Sequence, residues 1–306
     1  MSVLITGATG FVGRHLMKEH FYALVRRPYG FKNEIICDIT SQKSLKNKLS
    51  GIETIIHCAG LSDSTGNFSK KSHWEVNFNG TKNLISEARK SGVQKFIFLS
   101  SIKAMPKLNT SKNPASSYGL SKRASEKLVL DVGRSFDIHV VVLRPAMVYG
   151  LGCKGNLERM VRGIYSGWFP KLPDTQNRRI AIYIDDLISA IWLSVNSPEA
   201  NGKTFIVAHP QPFSTRELHN VIKQNSPETR FSWSLSKGLL NIVGQIGDKL
   251  ERTLNLKLPL NTSAVSSLLG SEYFAPSEIR DELGWVAETN IIEGIQKYMS
   301  DLGLNN

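Results

Sequence analysis

The feature that most constrains the fold is a short apolar segment, VLIT at 3–6, that runs directly into a glycine-rich turn at 7–13. Such a turn needs glycine because tight turns require positive φ and because a pyrophosphate must approach the backbone closely. The glycines follow the pattern G-x-x-G-x-x-G, one residue wider than the common dinucleotide fingerprint. We therefore predict a strand, a phosphate-binding turn and a helix that contact a dinucleotide through Gly7, Thr9, Gly10, Phe11, Val12 and Gly13.

Residues 1–150 alternate short apolar or β-branched segments with amphipathic helical stretches. That alternation is typical of an α/β fold with a doubly wound parallel sheet of Rossmann type. After Gly150 the pattern becomes mostly helical, which predicts a smaller substrate-binding lobe over residues 151–306, although the strand order leaves room for part of it to rejoin the first domain. Only 15 residues separate Gly10 from Arg26, so we expect a short first helix of two or three turns.

The net positive charge of the chain comes entirely from its first half. Residues 1–150 hold 22 Lys and Arg against 10 Asp and Glu, which accounts for the whole formal net charge of +12, and residues 151–306 hold 16 of each. A basic domain attracts polyanions such as a phosphorylated cofactor, a nucleotide substrate, nucleic acid or an anionic membrane surface. A solvated lysine-rich surface is the alternative explanation.

The composition, with 41% hydrophobic and 21% charged residues, is that of an ordinary globular protein. No apolar run approaches the length that spans a bilayer and the first residues lack a signal-peptide pattern, so we expect a cytoplasmic protein without stable membrane insertion. Three widely spaced cysteines indicate neither a disulfide framework nor a zinc site. The amphipathic segment 236–258 permits a membrane-surface helix, but a core helix of the smaller lobe is the favoured interpretation.

The end of the second predicted strand indicates which dinucleotide binds. A carboxylate there would bind the ribose 2′-hydroxyl of NAD, whereas this chain has Arg26 and Arg27, which can pair with the 2′-phosphate of NADP. An exposed basic strand end is the alternative. Asp38 follows the next strand and can accept from the adenine amino group, although aspartate also caps helices. We therefore expect NADP(H) rather than NAD(H).

A serine, a tyrosine and a lysine form the candidate catalytic set. The strand KFIFLS ends in Ser100 and Ser101, and Tyr118 and Lys122 lie four residues apart in the next predicted helix, on one face. A phenol has a pKa of about 10, but positive charge from Lys122 and from an oxidised nicotinamide lowers it. Tyr118 can then transfer a proton at neutral pH, while a serine hydroxyl orients the alcohol or carbonyl.

In this order the motifs resemble the extended short-chain dehydrogenase/reductase family, in particular its nucleotide-sugar epimerase/dehydratase group. The matching segments are GATGFVG at 7–13, CDIT at 37–40, HCAG at 57–60, VNFNGTKNL at 76–84, FLSS at 98–101, YGLSK at 118–122, LRPAMVYG at 143–150 and IDDL at 184–187. The resemblance implies that Ser101, Tyr118 and Lys122 are catalytic, with Ser101 preferred over Ser100. It also implies cofactor contacts from Ile39, Cys58, Ala59, Gly60, Asn77, Tyr118, Lys122 and Pro145.

The second lobe is similar to bacterial enzymes that reduce or epimerise C4 of uridine-diphosphate sugars during polysaccharide synthesis, through segments 154–187 and 276–285. The resemblance places Asn156 and Arg179 at the diphosphate or nucleotide of the substrate; a helix-cap asparagine and a surface arginine are the alternatives. It also implies a homodimer built from helices of the first domain. Met147 and Ala275 stand where many relatives have Asn and Asp, so the sequence does not specify the sugar.

The leading interpretation is an NADP(H)-dependent 4-ketoreductase of a nucleotide sugar, with Ser101 and Tyr118 against the substrate. A 4-epimerase that retains NAD(H) uses the same three residues and is the first alternative. A non-catalytic dinucleotide-sensing or RNA-binding protein of this fold is a distant one, which the Ser-Tyr-Lys set argues against, and we expect no nucleic-acid partner. His57 and Cys58 have no further His or Cys at ligand spacing, so we expect no metal site.

Overall fold

The computed structural model describes residues 1–62, 68–106, 116–227, 234–254 and 261–304. The chain forms two compact units. The first comprises Met1–Val148, Ile184–Ala208 and Ala275–Glu288, and the second comprises Tyr149–Tyr183, His209–Phe274 and Thr289–Asn306. Two segments that follow residue 150 therefore belong to the first unit.

The first unit is built on a seven-stranded sheet. Its strands are β1 (Val3–Thr6), β2 (Tyr22–Val25), β3 (Asn33–Ile36), β4 (Thr54–His57), β5 (Lys95–Leu99), β6 (His139–Pro145) and β9 (Thr204–Val207). They lie in the order β3-β2-β1-β4-β5-β6-β9, and all neighbours pair in parallel. The central strands are continuous runs of Val, Ile, Leu and Phe, as expected of a parallel sheet that is covered on both faces. This confirms the predicted Rossmann-type fold.

The helices of the first unit include one long, partly irregular stretch. The α-helices are α1 (Phe11–Leu16), α2 (Gln42–Leu45), α3 (Lys70–His73), α4 (Gly80–Lys90), α5 (Ser117–Phe136), α7 (Ile184–Asn196) and α11 (Ser277–Leu283). From residue 70 to residue 90 the chain stays helical, because a π-helical segment, Trp74–Asn79, joins α3 to α4. Two 3₁₀ turns, Ile102–Ala104 and Pro198–Ala200, lie elsewhere in the unit.

The second unit is mostly helical, as predicted. A short strand, β7 (Met147–Tyr149), leads into it. The remaining elements are α6 (Asn156–Tyr165), β8 (Ala181–Tyr183), α8 (Thr215–Gln224), α9 (Lys237–Leu254), α10 (Thr262–Leu269) and α12 (Ile291–Asp301). Ser214 and Glu217 form a reciprocal capping box that starts α8. The last residues of the amphipathic segment 236–258 lie outside the described residues.

The first helix is shorter than predicted. α1 has six residues, about 1.7 turns, and ends at Met17, whose ψ of 131° is extended. The chain then turns into β2 through Phe21, whose ring is buried 5.5 Å from the ring of Trp192 on α7. The packing of Phe21 against α7 therefore begins a few residues after the end of α1.

The strand order determines where a ligand can bind in the first unit. β1 lies between β2 and β4, so the connections that leave β1 and β4 run to opposite sides of the sheet. In open α/β sheets ligands bind in the crevice at the carboxyl ends of strands beside such a reversal. The glycine-rich turn after β1 and the loop after β4 both lie at this point.

Candidate active site

The glycine-rich turn after β1 fits tightly against its neighbours. Gly7 has a φ of +68°, and a Cβ on it would lie 2.8 Å from the backbone nitrogen of Ala59 in the loop after β4. A Cβ on Gly13 would collide with the Gly7 carbonyl. Gly10 donates its N–H to that carbonyl at 2.8 Å and is itself exposed, as is Thr9. The turn thus has the bare backbone that a pyrophosphate needs, which fits a dinucleotide.

The end of β2 carries an exposed basic group. Arg26 and Arg27 are both exposed there. Arg14 of α1, which the sequence analysis did not single out, donates to the hydroxyl of Tyr29 in the following loop, with its guanidinium carbon 5.5 Å from the centre of that ring. Glu34 fixes this loop by accepting from the N–H groups of residues 29 to 31. Arg14 directly follows Gly13, the third glycine of the turn, and this position could have identified it from the sequence.

The residues after β3 pack as an ordered turn. One oxygen of Asp38 accepts from both the N–H and the hydroxyl of Thr40 at 2.9 Å. Ile39 is buried, and a Cβ on Gly80 would lie 2.8 Å from its Cδ1. Asn83 donates its side-chain amide to the Ile39 carbonyl at 3.0 Å. Asp38 is half-buried at the start of this turn.

His57, at the end of β4, is a buried structural residue. Its Nδ1 lies 2.6 Å from Thr6 Oγ1 and its Nε2 lies 2.8 Å from Thr81 Oγ1. Burial, with a smaller contribution from Lys122, lowers the pKa of His57 to about 3, so the ring is neutral. Burial also raises the pKa of the neighbouring Cys58 to about 12, which keeps that thiol protonated. In the described part of the chain, no three His, Cys, Asp or Glu residues are grouped to hold a metal ion.

Asn77 joins the loop after β4 to α5. Its Oδ1 accepts from Leu61 N at 2.7 Å, and its Nδ2 donates to the Leu61 carbonyl at 3.0 Å and to Ser121 Oγ at 3.2 Å. A Cβ on Gly60 would lie 3.0 Å from Asn77 Oδ1 and 3.4 Å from Lys122 Nζ. The structure therefore brings three predicted cofactor residues together and gives Asn77 a loop-anchoring contact that the sequence analysis did not foresee.

Lys122 is a buried cation at the carboxyl end of β5. Its Nζ donates to the Leu99 carbonyl at 2.8 Å and lies 4.7 Å from the centre of the Phe98 ring. Burial lowers the pKa of Lys122 to about 8, while Cys58 and Glu126 act in the opposite direction. The ammonium is therefore held in place and only weakly solvated, where its charge acts strongly on neighbouring groups.

Tyr118 lies in the first turn of α5, one turn before Lys122. Ser116 caps α5 by accepting from Gly119 N at 3.1 Å. The side chain of Tyr118 is 8% exposed, and the ring of His73 lies 5.9 Å away. His73 in turn lies within hydrogen-bonding distance of Ser117, at 2.8 Å.

Ser101 lies beside the start of α5 because of close backbone packing. Its hydroxyl accepts from Lys103 N at 3.2 Å and begins the 3₁₀ turn Ile102–Ala104. A Cβ on Gly119 would collide with the Lys103 carbonyl, so only glycine lets this turn pack next to Tyr118. Arg123 donates to the Ala104 carbonyl at 2.6 Å. The structure thus joins the turn that carries Ser101 to the helix that carries Tyr118 and Lys122.

A buried charged network supports this region and was missed by the sequence analysis. Glu126, one turn after Lys122, accepts from Ser100 Oγ at 2.5 Å and from Arg144 Nη2 at 2.6 Å. The Ser100 hydroxyl is therefore part of this network. Arg144 precedes Pro145, a buried residue at the end of β6.

The two predicted diphosphate residues belong to the second unit. Asn156 is exposed and is the first residue of α6, whose N-cap is Gly155, so the helix-cap alternative is wrong. Arg179 is half-buried. Its backbone exchanges two hydrogen bonds with Phe213, at 2.8 and 2.9 Å. Burial lowers the pKa of Arg179, and Glu272 opposes that shift.

The family of the chain follows from its sequence over residues 3–208, which is about two thirds of its length. A family model described as the NAD dependent epimerase/dehydratase family matches residues 3–208. The chain belongs to this family. It is therefore an enzyme of the epimerase/dehydratase type, and its cofactor is a nicotinamide dinucleotide, which agrees with the fit of the glycine-rich turn.

Members of the epimerase/dehydratase family resemble the chain over almost its whole length. It is 26% identical to a UDP-glucose 4-epimerase of Vibrio cholerae, with 97% of this chain and 94% of the relative covered. It is 23% identical to an N-acetyl-alpha-D-glucosaminyl-diphospho-ditrans,octacis-undecaprenol 4-epimerase of Escherichia coli O157:H7, with 97% and 93% covered.

Solved structures share the fold at low sequence identity. The UDP-glucose 4-epimerase of Thermus thermophilus in complex with NAD has a TM-score of 0.74 at 20% identity, with 99% of each chain covered. RMD of Pseudomonas aeruginosa in complex with NADPH has a TM-score of 0.71 at 20% identity, with 98% of this chain and 99% of that chain covered. The fold therefore accommodates either cofactor.

Proposed function

We propose that this family member is a 4-epimerase of a uridine-diphosphate sugar. One structural observation carries the proposed proton-transfer chemistry: α5 holds Tyr118 and the buried ammonium of Lys122 one turn apart, and Gly119 between them packs against the turn that begins at Ser101. Both relatives named above that match 97% of the chain are 4-epimerases, which supports this reaction.

The three residues have separate roles in the proposed reaction. Tyr118 removes the proton of the C4 hydroxyl and later returns it. Lys122 favours the ionised phenol because its ammonium is held in a poorly solvated position. The hydroxyl of Ser101 donates to the C4 oxygen and keeps it oriented. When bound, a nicotinamide dinucleotide would supply the acceptor and donor for the C4 hydride.

The dinucleotide would be held by residues of the first unit. The turn 7–13 would hold the pyrophosphate, Asp38 and Ile39 would hold the adenine, and Lys122 would hold the nicotinamide ribose. Cys58, Ala59, Gly60, Asn77 and Pro145 complete the cofactor crevice in this proposal. In the second unit, Asn156 and the half-buried guanidinium of Arg179 contact the diphosphate of the substrate.

An NADPH-dependent 4-ketoreductase is the second candidate, and a specific observation favours it. Arg26 and Arg27 are exposed at the end of β2, where the 2′-phosphate of NADP would lie, and Arg14 contacts the next loop. An epimerase that retains its cofactor has no need of a contact with that phosphate.

One assay separates the two candidates. The purified enzyme is incubated with UDP-glucose or UDP-N-acetylglucosamine without added cofactor, and the sugar products are separated by chromatography. Formation of the C4 epimer without any change in NADH or NADPH absorbance is expected. Stoichiometric oxidation of added NADPH by a 4-keto UDP-sugar in a parallel incubation, together with no epimer in the first one, would instead establish the reductase.

A further inference from the structure

Helix α9 of the second unit packs through one side only. Leu240 is buried on that side, and Gly244 lets α10 approach closely, since a Cβ there would lie 3.2 Å from Thr262 Cα and from Val265 Cγ2. Gly244 thus lets the backbone of α9 approach the backbone of Thr262 and the side chain of Val265 on α10. This contact uses only part of the apolar surface of α9.

The rest of that apolar surface is exposed. Leu239, Ile242, Ile246 and Leu250 are each between 41% and 53% exposed. They follow one another at intervals of three, four and four residues, so they form a single stripe along the helix. We call these four residues the α9 stripe. An ordinary protein surface exposes apolar residues singly, whereas here four large aliphatic side chains are exposed together on one helix face.

The charges on α9 are divided between its two sides. Asp248 accepts from the N–H of Thr262 at 3.1 Å and from its hydroxyl at 2.5 Å, and Glu251 accepts from Asn261 at 3.1 Å. Both acids are therefore directed toward the start of α10. Lys249 is exposed and lies three residues after Ile246, on the same face as the stripe.

We propose that α9 docks this protein on the surface of an anionic lipid bilayer, with the stripe lying among the headgroups. A helix that combines an apolar stripe, a flanking lysine and inward-facing acids has the chemistry of an interfacial helix. The second unit itself holds 14 Lys and Arg against 9 Asp and Glu, and this positive surplus attracts it to an anionic surface. In the described part of the chain, no helix is both long and apolar enough to cross a membrane.

The docking is independent of the reaction assigned above. The α9 stripe contains none of the residues placed at the cofactor or substrate. Variants of the stripe are therefore expected to keep normal activity on a soluble UDP-sugar. Failure of the docking proposal would therefore not affect the proposed function.

Sedimentation with lipid vesicles tests the proposal. The full-length protein is mixed with vesicles of phosphatidylcholine alone or of phosphatidylcholine with phosphatidylglycerol. The wild type is expected to bind the mixed vesicles and to be released by salt. The double variant Ile242→Gln, Ile246→Gln is expected to bind the mixed vesicles more weakly than the wild type, by about tenfold or more. Ile292→Gln is the matched control, because Ile292 is 52% exposed on α12 of the same unit.

Several outcomes would overturn the proposal. A wild type that stays in the supernatant with mixed vesicles is one, and equal binding by the stripe variant is another. If analytical ultracentrifugation finds that the stripe variant converts a dimer to a monomer without any change in vesicle binding, a second copy of the chain covers the stripe instead. Lys249→Gln leaves the stripe intact and is expected to weaken binding to mixed vesicles only; unchanged binding would reject the need for anionic lipid.

Discussion

The carboxylate of Glu126 binds the guanidinium of Arg144 at two points: Oε2 accepts from Nη2 at 2.6 Å and Oε1 accepts from Nε at 2.9 Å. The same Oε1 accepts from the Ser100 hydroxyl at 2.5 Å. The side chains of Glu126 and Arg144 are only 4% and 21% exposed. This pair therefore joins α5 to β6. Through Ser100, the neighbour of Ser101, it also joins α5 to the end of β5.

Replacing Arg144 by Met is expected to destabilise the protein strongly. The change leaves the Glu126 carboxylate buried without its partner, which costs about 3 kcal/mol or more. Arg162→Met is the control, since its ion pair with Glu158 is exposed and contributes under about 1 kcal/mol. Urea unfolding of both variants measures the difference. Equal losses would mean that the Glu126–Arg144 pair contributes no more than a surface ion pair.

Tyr118→Phe is expected to lower kcat by about 10²- to 10⁴-fold, because it removes the group that transfers the proton. Cofactor binding should remain, since phenylalanine fills the same nearly buried space. Tyr22→Phe, at an exposed position on β2, is the matched control and should have normal turnover. Steady-state rates and cofactor titration provide the two readouts. Near wild-type turnover of Tyr118→Phe would remove this residue from the mechanism.

Lys122→Met is expected to stabilise the cofactor-free protein at neutral pH while it abolishes most activity. The pKa of Lys122 is about 8 in the folded protein, against about 10.4 in an unfolded chain. Between these values the unfolded chain binds more protons, so the wild type gains stability as the pH rises from about 8 to about 10. Below about pH 8 the full cost of burying the ammonium is present, about 3 kcal/mol.

Calorimetry of wild type and Lys122→Met at neutral and alkaline pH tests this. The stability advantage of the variant should shrink as the pH rises. Lys127→Met, which replaces an exposed lysine on the same helix, should differ little from wild type at either pH. A Lys122→Met variant less stable than wild type at neutral pH would contradict the assigned cost of burial.

The local motifs of the first unit could be predicted because each depends on neighbouring residues. The turn at 7–13 and the pairing of Tyr118 with Lys122 are of this kind. β9 could not be assigned to its sheet, because its partner β6 lies some sixty residues earlier and any apolar segment fits a sheet edge. Glu126 was missed because a glutamate four residues after a lysine is usually a solvated helix position; only Arg144 makes its burial favourable.

Replacing Arg26 and Arg27 by Ser is expected to weaken NADPH binding by about ten- to a hundredfold and to leave NADH binding nearly unchanged. Each arginine would lose a charge-assisted contact with a phosphate that NADH lacks. Arg134→Ser, at an exposed position of α5, is the control for a general loss of charge. Fluorescence titration measures all affinities. Wild-type protein that binds NADH as tightly as NADPH would make these arginines irrelevant to cofactor choice.

Arg179→Ala is expected to raise KM for a UDP-sugar by about ten- to a hundredfold, the effect of one lost charge-assisted phosphate contact. The effect on kcat should be smaller, because the diphosphate is bound equally in the ground and transition states. Arg179→Lys should restore binding only in part, because an ammonium lacks the planar fork of a guanidinium.

Arg178→Ala provides the matched control for this position. Arg178 is the adjacent residue and is exposed, with its guanidinium carbon 4.4 Å from the centre of the Tyr273 ring. Its removal takes away the same charge but should leave binding of uridine diphosphate close to that of wild type, since its side chain already packs on an aromatic ring. Calorimetry with uridine diphosphate compares the three variants directly. Equal losses of uridine-diphosphate affinity in Arg178→Ala and Arg179→Ala would mean that Arg179 contributes only its charge. Unchanged affinity in both variants would mean that the diphosphate does not bind at this part of the second unit.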